Sequence, residues 1–229
     1  MKYKIITLFP EMFEGPLTAS ILPRAQKDGL LEFEFINLRD FGLGSRRQVD
    51  DTPYGGGAGM VLRVDVVADA IAAARSKDKN QKSKVILLTP QGEIFNQKKA
   101  EFFAKTCEEI ILVCGHYEGF DERIRSLVDE EVSIGEYVLT GGEIPAMVLI
   151  DSISRLIPGV LGTQESLDTE SFSEGHLLEY PQYTRPEIYH GTKVPEILLS
   201  GHHAKIAAWR KTKALEKTKN RLEKEKDIC

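Results

Sequence analysis

Apolar runs alternate with amphipathic segments over residues 84–157, and this rhythm predicts alternating strands and helices. The apolar runs, each containing glycine near its end, are KVILLTPQG, EIILVCGHYEG and EYVLTGGE. The segments that follow them have helical spacing and read NQKKAEFFAKTC, FDERIRSLVDE and IPAMVLIDSISRLI. Uniformly apolar strands that alternate with helices are typical of a parallel sheet covered on both faces. We therefore predict an α/β fold with a mostly parallel sheet and helices on both faces.

The segments before and after residues 84–157 predict further elements and the division of the chain into domains. KYKIITLF and LLEFEFINL predict two further strands, and RVDVVADAIAAARS predicts a helix. Residues 40–63 are rich in glycine and polar side chains and include TPYGGGAGM; a loop of this length is usually functional or disordered. We predict a first domain over residues 1–162, a flexible linker over 163–176 and a small helical domain over 177–229.

Three loops follow the apolar runs at the edge where an open α/β sheet binds its ligands. They are TPQG (89–92), CGHYEG (114–119) and LTGGE (139–143). The sequence has neither the dinucleotide-binding GxGxxG pattern nor the phosphate-binding GxxxxGK[ST] pattern. The five histidines, including His116 in the second loop, are interpreted as ordinary surface or core residues. No cluster of Cys, His or Asp predicts a metal site.

The distribution of charge and the number of cysteines bear on the binding partner and the location of the protein. The net charge is −5, yet residues 201–229 carry nine Lys or Arg against four Asp or Glu. This basic C-terminal segment on an otherwise acidic chain is compatible with binding to a polyanion, although charge alone favours a solvated helix with alternating charges, by roughly two to one. The three cysteines are odd in number, and no signal peptide or transmembrane helix is visible. We therefore expect reduced thiols, a cytoplasmic location and no membrane partner.

Five segments together resemble the bacterial tRNA (guanine-N1)-methyltransferases of the TrmD family, in the SPOUT class of knotted methyltransferases. They are DDTPYGGGAGM, CGHYEGFDER, SIGEYVLTGGEIPAMVLIDSISRLIPGVLG, LLEYPQYTRP and LSGHHAKIAAWR, in the family's order. The resemblance runs nearly end to end. It implies a deep trefoil knot near the three glycine loops, which periodicity does not predict because true knots are rare. It also implies a homodimer with active sites between the subunits and a C-terminal domain that binds tRNA.

The resemblance further implies S-adenosylmethionine as the methyl donor. The acceptor would be N1 of the guanosine at tRNA position 37, immediately 3′ of the anticodon, with a guanosine preferred before it. Mg²⁺ is implied to assist, with no protein site assigned. The residues implied to bind S-adenosylmethionine are Leu87, Leu88, Thr89, Pro90, Gln91, Gly115, Tyr117, Glu118, Gly119, Ser133, Ile134, Gly135, Glu136, Tyr137, Val138, Leu139, Gly141, Gly142 and Pro145.

The implied chemistry needs a base, because guanine N1 carries a proton at neutral pH. A carboxylate that removes this proton is worth about 10²–10⁴ in rate, and a guanidinium near O6 would stabilise the developing charge. By resemblance, Arg155 is this guanidinium. The family's usual base is an aspartate directly before SF or SH, where this chain has Glu170. The added methylene moves the carboxylate by roughly 1–1.5 Å, so Asp168 is a competing candidate for the base.

Two other functions compete with this one. The first is a related knotted methyltransferase that acts on another RNA. The second is a non-catalytic RNA-binding protein, which the basic C-terminal segment and aromatic residues such as Tyr54, Tyr183 and Trp209 would support. The second alternative leaves the three ligand-type loops at one sheet edge unexplained.

Overall fold

The computed structural model describes residues 1–75, 82–162, 170–173 and 175–226 of the 229-residue chain. Its strands are β1 (Lys2–Thr7), β2 (Glu32–Asn37), β3 (Asp50–Asp51), β4 (Val61–Leu62), β5 (Ser83–Ile94), β6 (Glu109–Cys114), β7 (Glu130–Ser133), β8 (Ile188–Tyr189) and β9 (Thr192–Lys193). Its helices are α1 (Glu14–Thr18), α2 (Ile21–Lys27), α3 (Val64–Ala74), α4 (Gln97–Thr106), α5 (Glu143–Ser154), α6 (Glu196–Leu199) and α7 (His203–Lys226). Short 3₁₀-helices span Pro10–Phe13, Leu38–Phe41 and Glu122–Leu127.

A five-stranded parallel sheet forms the centre of residues 1–162 as far as they are described. Its strand order is β2-β1-β6-β5-β7, and each neighbouring pair is parallel. Parallel neighbours need crossover connections, which here run through helices and loops on the faces of the sheet. The α/β prediction is therefore confirmed, while the trefoil knot implied by the resemblance stays a prediction.

Alternate side chains of β1, β5 and β6 enter two separate hydrophobic layers, because successive residues of a strand point to opposite faces. Ile86 and Leu88 of β5 pack in the layer that contains residues of α1, α2, α4 and α5. Val85 and Leu87 pack in the opposite layer, against α3 and the 3₁₀-helix Glu122–Leu127. The central strand β6 and the first half of β5 therefore read as continuous apolar runs, since both of their faces are buried.

Two local predictions are wrong in the second half of the sheet. The fifth strand is Glu130–Ser133, whereas residues 136–142 of EYVLTGGE form a loop and Glu143 begins α5. The apolar residues that suggested a strand there remain accessible: Tyr137 and Val138 keep 53% and 86% of their surface exposed. The segment FDERIRSLVDE contains a 3₁₀-helix and not the predicted α-helix. The helices within residues 10–27 were not predicted from the sequence.

The chain separates into two compact units, residues 1–162 and 163–229. In the described part of the second unit, β8 and β9 form an antiparallel hairpin and α6 contacts the long helix α7. The predicted linker at 163–176 lies largely outside the described residues. Across the described ranges, no helix combines the length and the hydropathy needed to cross a membrane.

Candidate functional site

Three loops meet around one cleft of the first unit: one interrupts β5 after Leu88, and the other two follow the carboxyl ends of β6 and β7. The cleft holds about 700 Å³ of space free of protein atoms, part of it open to solvent. It is lined by Leu88, Thr89, Pro90, Gly115, His116, Tyr117, Glu118, Gly119, Phe120, Val132, Ser133, Ile134, Gly135, Tyr137, Val138, Leu139, Thr140, Gly141, Gly142 and Pro145. The three loops therefore converge at the sheet edge where the strand pattern predicted a ligand site.

The first loop is an irregularity within β5. Leu88 and Glu93 both pair with Val132 of β7, so the four residues between them leave the regular strand pairing. Gly92 lets this segment lie directly on β7, because a Cβ at that position would be 2.4 Å from the backbone nitrogen of Val132. The path of the first loop therefore depends on a glycine at its last position.

The second and third loops approach each other closely through glycines. The Gly142 amide donates a hydrogen bond to the Gly115 carbonyl at 2.9 Å. A Cβ on Gly142 would lie 2.7 Å from both the Cα of Cys114 and the backbone nitrogen of Gly115. The beginning of α5 is thus pressed against the end of β6, with room for glycine alone.

A buried carboxylate lies under these loops. Glu143, the first residue of α5, is 2% exposed, and its Oε1 accepts a hydrogen bond of 2.7 Å from the Thr7 hydroxyl. The same hydroxyl accepts a bond of 2.9 Å from the Phe9 amide, so its own proton is directed at Glu143. Burial and the neighbouring Glu143 raise the pKa of the Cys114 thiol well above its usual range. Cys114 is therefore protonated at neutral pH and unsuited to act as a nucleophile.

His116 forms part of the cleft wall between the second and third loops. Its ring centroid lies 4.8 Å from that of Phe9 and 4.9 Å from that of Tyr117. Its Nδ1 is buried, with no hydrogen-bond partner among the described residues. Buried polar atoms nearly always have such a partner, so this nitrogen is an exception.

The glycine-rich segment TPYGGGAGM lies beside the second loop. The Glu118 amide donates to the Met60 carbonyl at 3.0 Å, and the Leu62 amide donates to Gly119 at 2.9 Å. Gly59 has a φ of +83°, and a Cβ there would lie 2.3 Å from the Glu118 side chain. Gly59 thus allows the segment to reach a cleft-lining residue without a steric clash.

Most of the residues implied to bind S-adenosylmethionine line this one cleft, and three do not. The Leu87 side chain is buried in the opposite layer, because it alternates with Leu88 along β5. The Gln91 side chain accepts a hydrogen bond from Arg125, and Glu136 is exposed outside the cleft. Conversely, His116, Phe120, Val132 and Thr140 line the cleft and were not predicted. His116 could have been recognised from its place in the second loop.

The three candidate catalytic residues are distributed over both units. Arg155 follows the last residue of α5 in the first unit and is half-buried. Glu170 belongs to the second unit, where its carbonyl accepts hydrogen bonds from the amide and the hydroxyl of Ser173. Asp168 lies outside the described residues. In the described parts of the chain, no group of three or more His, Cys, Asp or Glu could hold a metal ion.

The fold and the cleft place the chain among α/β proteins that bind a small ligand beyond the carboxyl ends of their strands. The sequence model of the family described as tRNA (Guanine-1)-methyltransferase TrmD matches residues 1–226. The chain therefore belongs to this family, and it is an enzyme of this type.

Individual relatives agree with this assignment. The chain is 55% identical over 219 residues to the tRNA (guanine-N(1)-)-methyltransferase of Citrifermentans bemidjiense, covering 95% of this chain and 86% of the relative. It is 54% identical over 229 residues to the enzyme with the same name from Halalkalibacterium halodurans, covering 100% and 91%. It is 53% identical over 218 residues to the enzyme with the same name from Dictyoglomus turgidum, covering 95% of this chain and 86% of the relative. The resemblance stated from the five segments is confirmed.

Proposed function

We propose that this protein transfers a methyl group from S-adenosylmethionine to N1 of the guanosine at position 37 of tRNA, with a guanosine preferred before it. The observation that carries the proposal is the convergence of three glycine-containing loops on one cleft in a member of this family. The names of the relatives support guanine N1 of tRNA as the acceptor.

The composition of the cleft fits the methyl donor. Among the residues that line it, Glu118 supplies a carboxylate, and no Lys or Arg is present in this set. An acidic, largely apolar cleft suits a ligand that combines a flat base with a positively charged sulfonium. When bound, S-adenosylmethionine supplies an electrophilic methyl group. The residues of the chain must then hold the ligand and prepare the acceptor.

Two side chains prepare the acceptor in this proposal. The Glu170 carboxylate removes the proton from guanine N1, and the Arg155 guanidinium stabilises the negative charge that develops at O6. Arg155 and Glu170 belong to different units. The resemblance implies active sites between subunits, so we propose that a homodimer assembles the complete site.

Helix α7 would hold the tRNA in this proposal. The C-terminal segment, residues 201–229, carries nine Lys or Arg against four acids on a chain of net charge −5. Cationic side chains of this kind bind phosphates largely without regard to sequence. The target guanosine would leave its stack to enter the cleft, because an enzyme cannot reach the reacting atom of a base that remains stacked.

Methyl transfer to unmodified tRNA transcripts tests the proposal. We expect transcripts with guanosine at position 37 to be methylated at N1, and transcripts with adenosine there to remain unmethylated. Methylation of another RNA or of a ribose hydroxyl instead would support a different knotted methyltransferase. Failure to bind S-adenosylmethionine, with or without tRNA, would support a non-catalytic RNA-binding protein. The same assay with and without Mg²⁺ tests the predicted assistance by this ion.

The affinity for tRNA is expected to fall steeply with salt. If three phosphates are neutralised, each doubling of the salt concentration lowers the affinity about sixfold. Filter binding at a series of salt concentrations measures this slope, and the affinity for S-adenosylmethionine over the same series is the control. A tRNA affinity that does not change with salt would contradict the electrostatic role of α7.

A further inference from the structure

The second unit has a groove of its own, separate from the cleft of the first unit. It holds about 1000 Å³ of space free of protein atoms, part of it open to solvent. Its lining residues come from the irregular segment 180–187, from Val194 after β9, and from helices α6 and α7. All of them lie within residues 163–229, so the groove is formed by this unit alone.

Apolar side chains remain accessible around this groove. Among the described residues of the second unit, Ala214 is the one apolar residue that is buried. Tyr183 and Leu199 in the groove are exposed, and Leu198 and Ile206 are half-buried. Accessible apolar surface with polar side chains around it is typical of ligand-binding grooves and interfaces.

The charged and aromatic side chains of the groove favour a flat ligand that carries negative charge. Arg185 and Arg210 line the groove together with a single acid, Glu187. The Cζ atom of Arg210 lies over the Tyr180 ring, 4.7 Å from its centre. Guanidinium groups and aromatic rings offer flat faces on which nucleobases stack, and arginine also binds phosphate.

The substrate of the family, tRNA, supplies both a base and a phosphate. Bases inside a duplex are covered by their neighbours, so only an unpaired nucleotide can place the face of its base in a groove. Helix α7, which forms part of the groove, also carries all nine Lys and Arg residues of the segment 201–229. An RNA strand held by these charges would pass close to the groove.

We propose that this groove binds one unpaired nucleotide of the tRNA other than the target guanosine. Its base stacks on Tyr183, beside the stacked pair of Tyr180 and Arg210, and Arg185 binds its phosphate. The inference rests on the proposed function, in which tRNA is the substrate. It adds a second nucleotide site, on a different unit from the cleft that receives the methyl donor.

Fluorescence anisotropy at one salt concentration tests the inference with three RNAs: a tRNA transcript, its anticodon stem–loop and a blunt duplex of the same stem. Tyr183→Leu removes the flat ring, whereas Tyr183→Phe keeps it. We expect Tyr183→Leu to bind the tRNA about tenfold more weakly, and Tyr183→Phe to bind it normally. Both variants should bind the duplex like the unmodified chain. Tyr189→Leu, which changes an exposed tyrosine of β8 outside the groove, is the matched control and should bind all three RNAs normally.

The stem–loop identifies the source of the nucleotide. Weaker binding of both the tRNA and the stem–loop by Tyr183→Leu assigns the nucleotide to the anticodon loop, and weaker binding of the tRNA alone assigns it to another unpaired part of the tRNA. Equal affinities of Tyr183→Leu and Tyr183→Phe for the tRNA would overturn the inference. Sedimentation velocity covers the remaining occupant: if Tyr183→Leu changes self-association and not RNA affinity, the groove contacts a second copy of the chain and the inference is wrong.

Trp209 reports whether the variants are folded, because it is the only tryptophan of the chain and its ring centre lies 6.4 Å from that of Tyr183. If Tyr183→Leu does not fold, Arg210→Lys decides, since it keeps the charge and removes the planar group over Tyr180. We expect it to bind the tRNA about fivefold more weakly and the duplex normally; normal tRNA affinity would contradict the inference. If the unmodified chain does not bind tRNA, the proposed function fails and the inference fails with it. Normal methylation by the unmodified chain, with tRNA binding indifferent to these changes, would remove this inference alone.

Discussion

Replacing Glu170 with Gln is expected to lower kcat for tRNA methylation by about 10²–10⁴-fold, because the amide cannot accept the proton of guanine N1. The substitution keeps the size of the side chain and the backbone contacts of Glu170 with Ser173. The affinities for S-adenosylmethionine and for tRNA should therefore change little. Single-turnover methyl transfer to a transcript with guanosine at position 37 measures the effect directly.

Asp168→Asn is the matched comparison for this prediction, since it removes the other candidate carboxylate two residues earlier. We expect it to leave kcat near the value of the unmodified enzyme. Near-normal turnover of Glu170→Gln together with loss of turnover in Asp168→Asn would assign the base to Asp168. Glu170→Asp, which restores the residue usual in the family, should retain activity if the backbone accommodates the shorter side chain.

Replacing Gly142 with Ala is expected to weaken binding of S-adenosylhomocysteine by roughly a hundredfold, an effect of about 3 kcal/mol that is typical of severe overpacking. The added Cβ would lie 2.7 Å from backbone atoms of Cys114 and Gly115, which cannot move aside as a flexible side chain could. The beginning of α5 would have to shift, and Gly141 and Glu143 would shift with it. Calorimetric titration measures the affinity, and thermal unfolding shows how much of the loss is general destabilisation.

Gly15→Ala is the control for a glycine-to-alanine change that causes no steric clash. A Cβ on Gly15 in α1 would meet no heavy atom within 4 Å. Alanine has the better helix propensity, by about 1 kcal/mol, so this variant should be as stable as the unmodified chain or more so. Normal ligand affinity in Gly142→Ala would show that the contact between β6 and α5 tolerates a side chain, contrary to our prediction.

The parallel α/β core could be predicted because its signal is local. The strand at Glu109–Cys114 is buried along its whole length, and such a strand reads as an unbroken apolar run. The helix at Glu143–Ser154 was likewise visible from its spacing. The fifth strand escaped prediction because Glu130–Ser133 is short and begins with two glutamates. Glu130 forms ion pairs with Lys84 and Lys99. Because these partners lie far away in sequence, no local pattern shows that a glutamate at this position can belong to a strand of the sheet.

By itself, the sequence determined the class of fold, the sheet edge that carries the cleft and, through five segments, the family. Only the tertiary structure decided how the cleft wall is built. Thr7 and Glu143 are 136 positions apart, yet they share a hydrogen bond beneath His116. Gly59 and Glu118 come from separate segments that meet beside the cleft. Hydrophobic periodicity records which face of a segment is buried, whereas contacts between distant segments depend on how the whole chain packs.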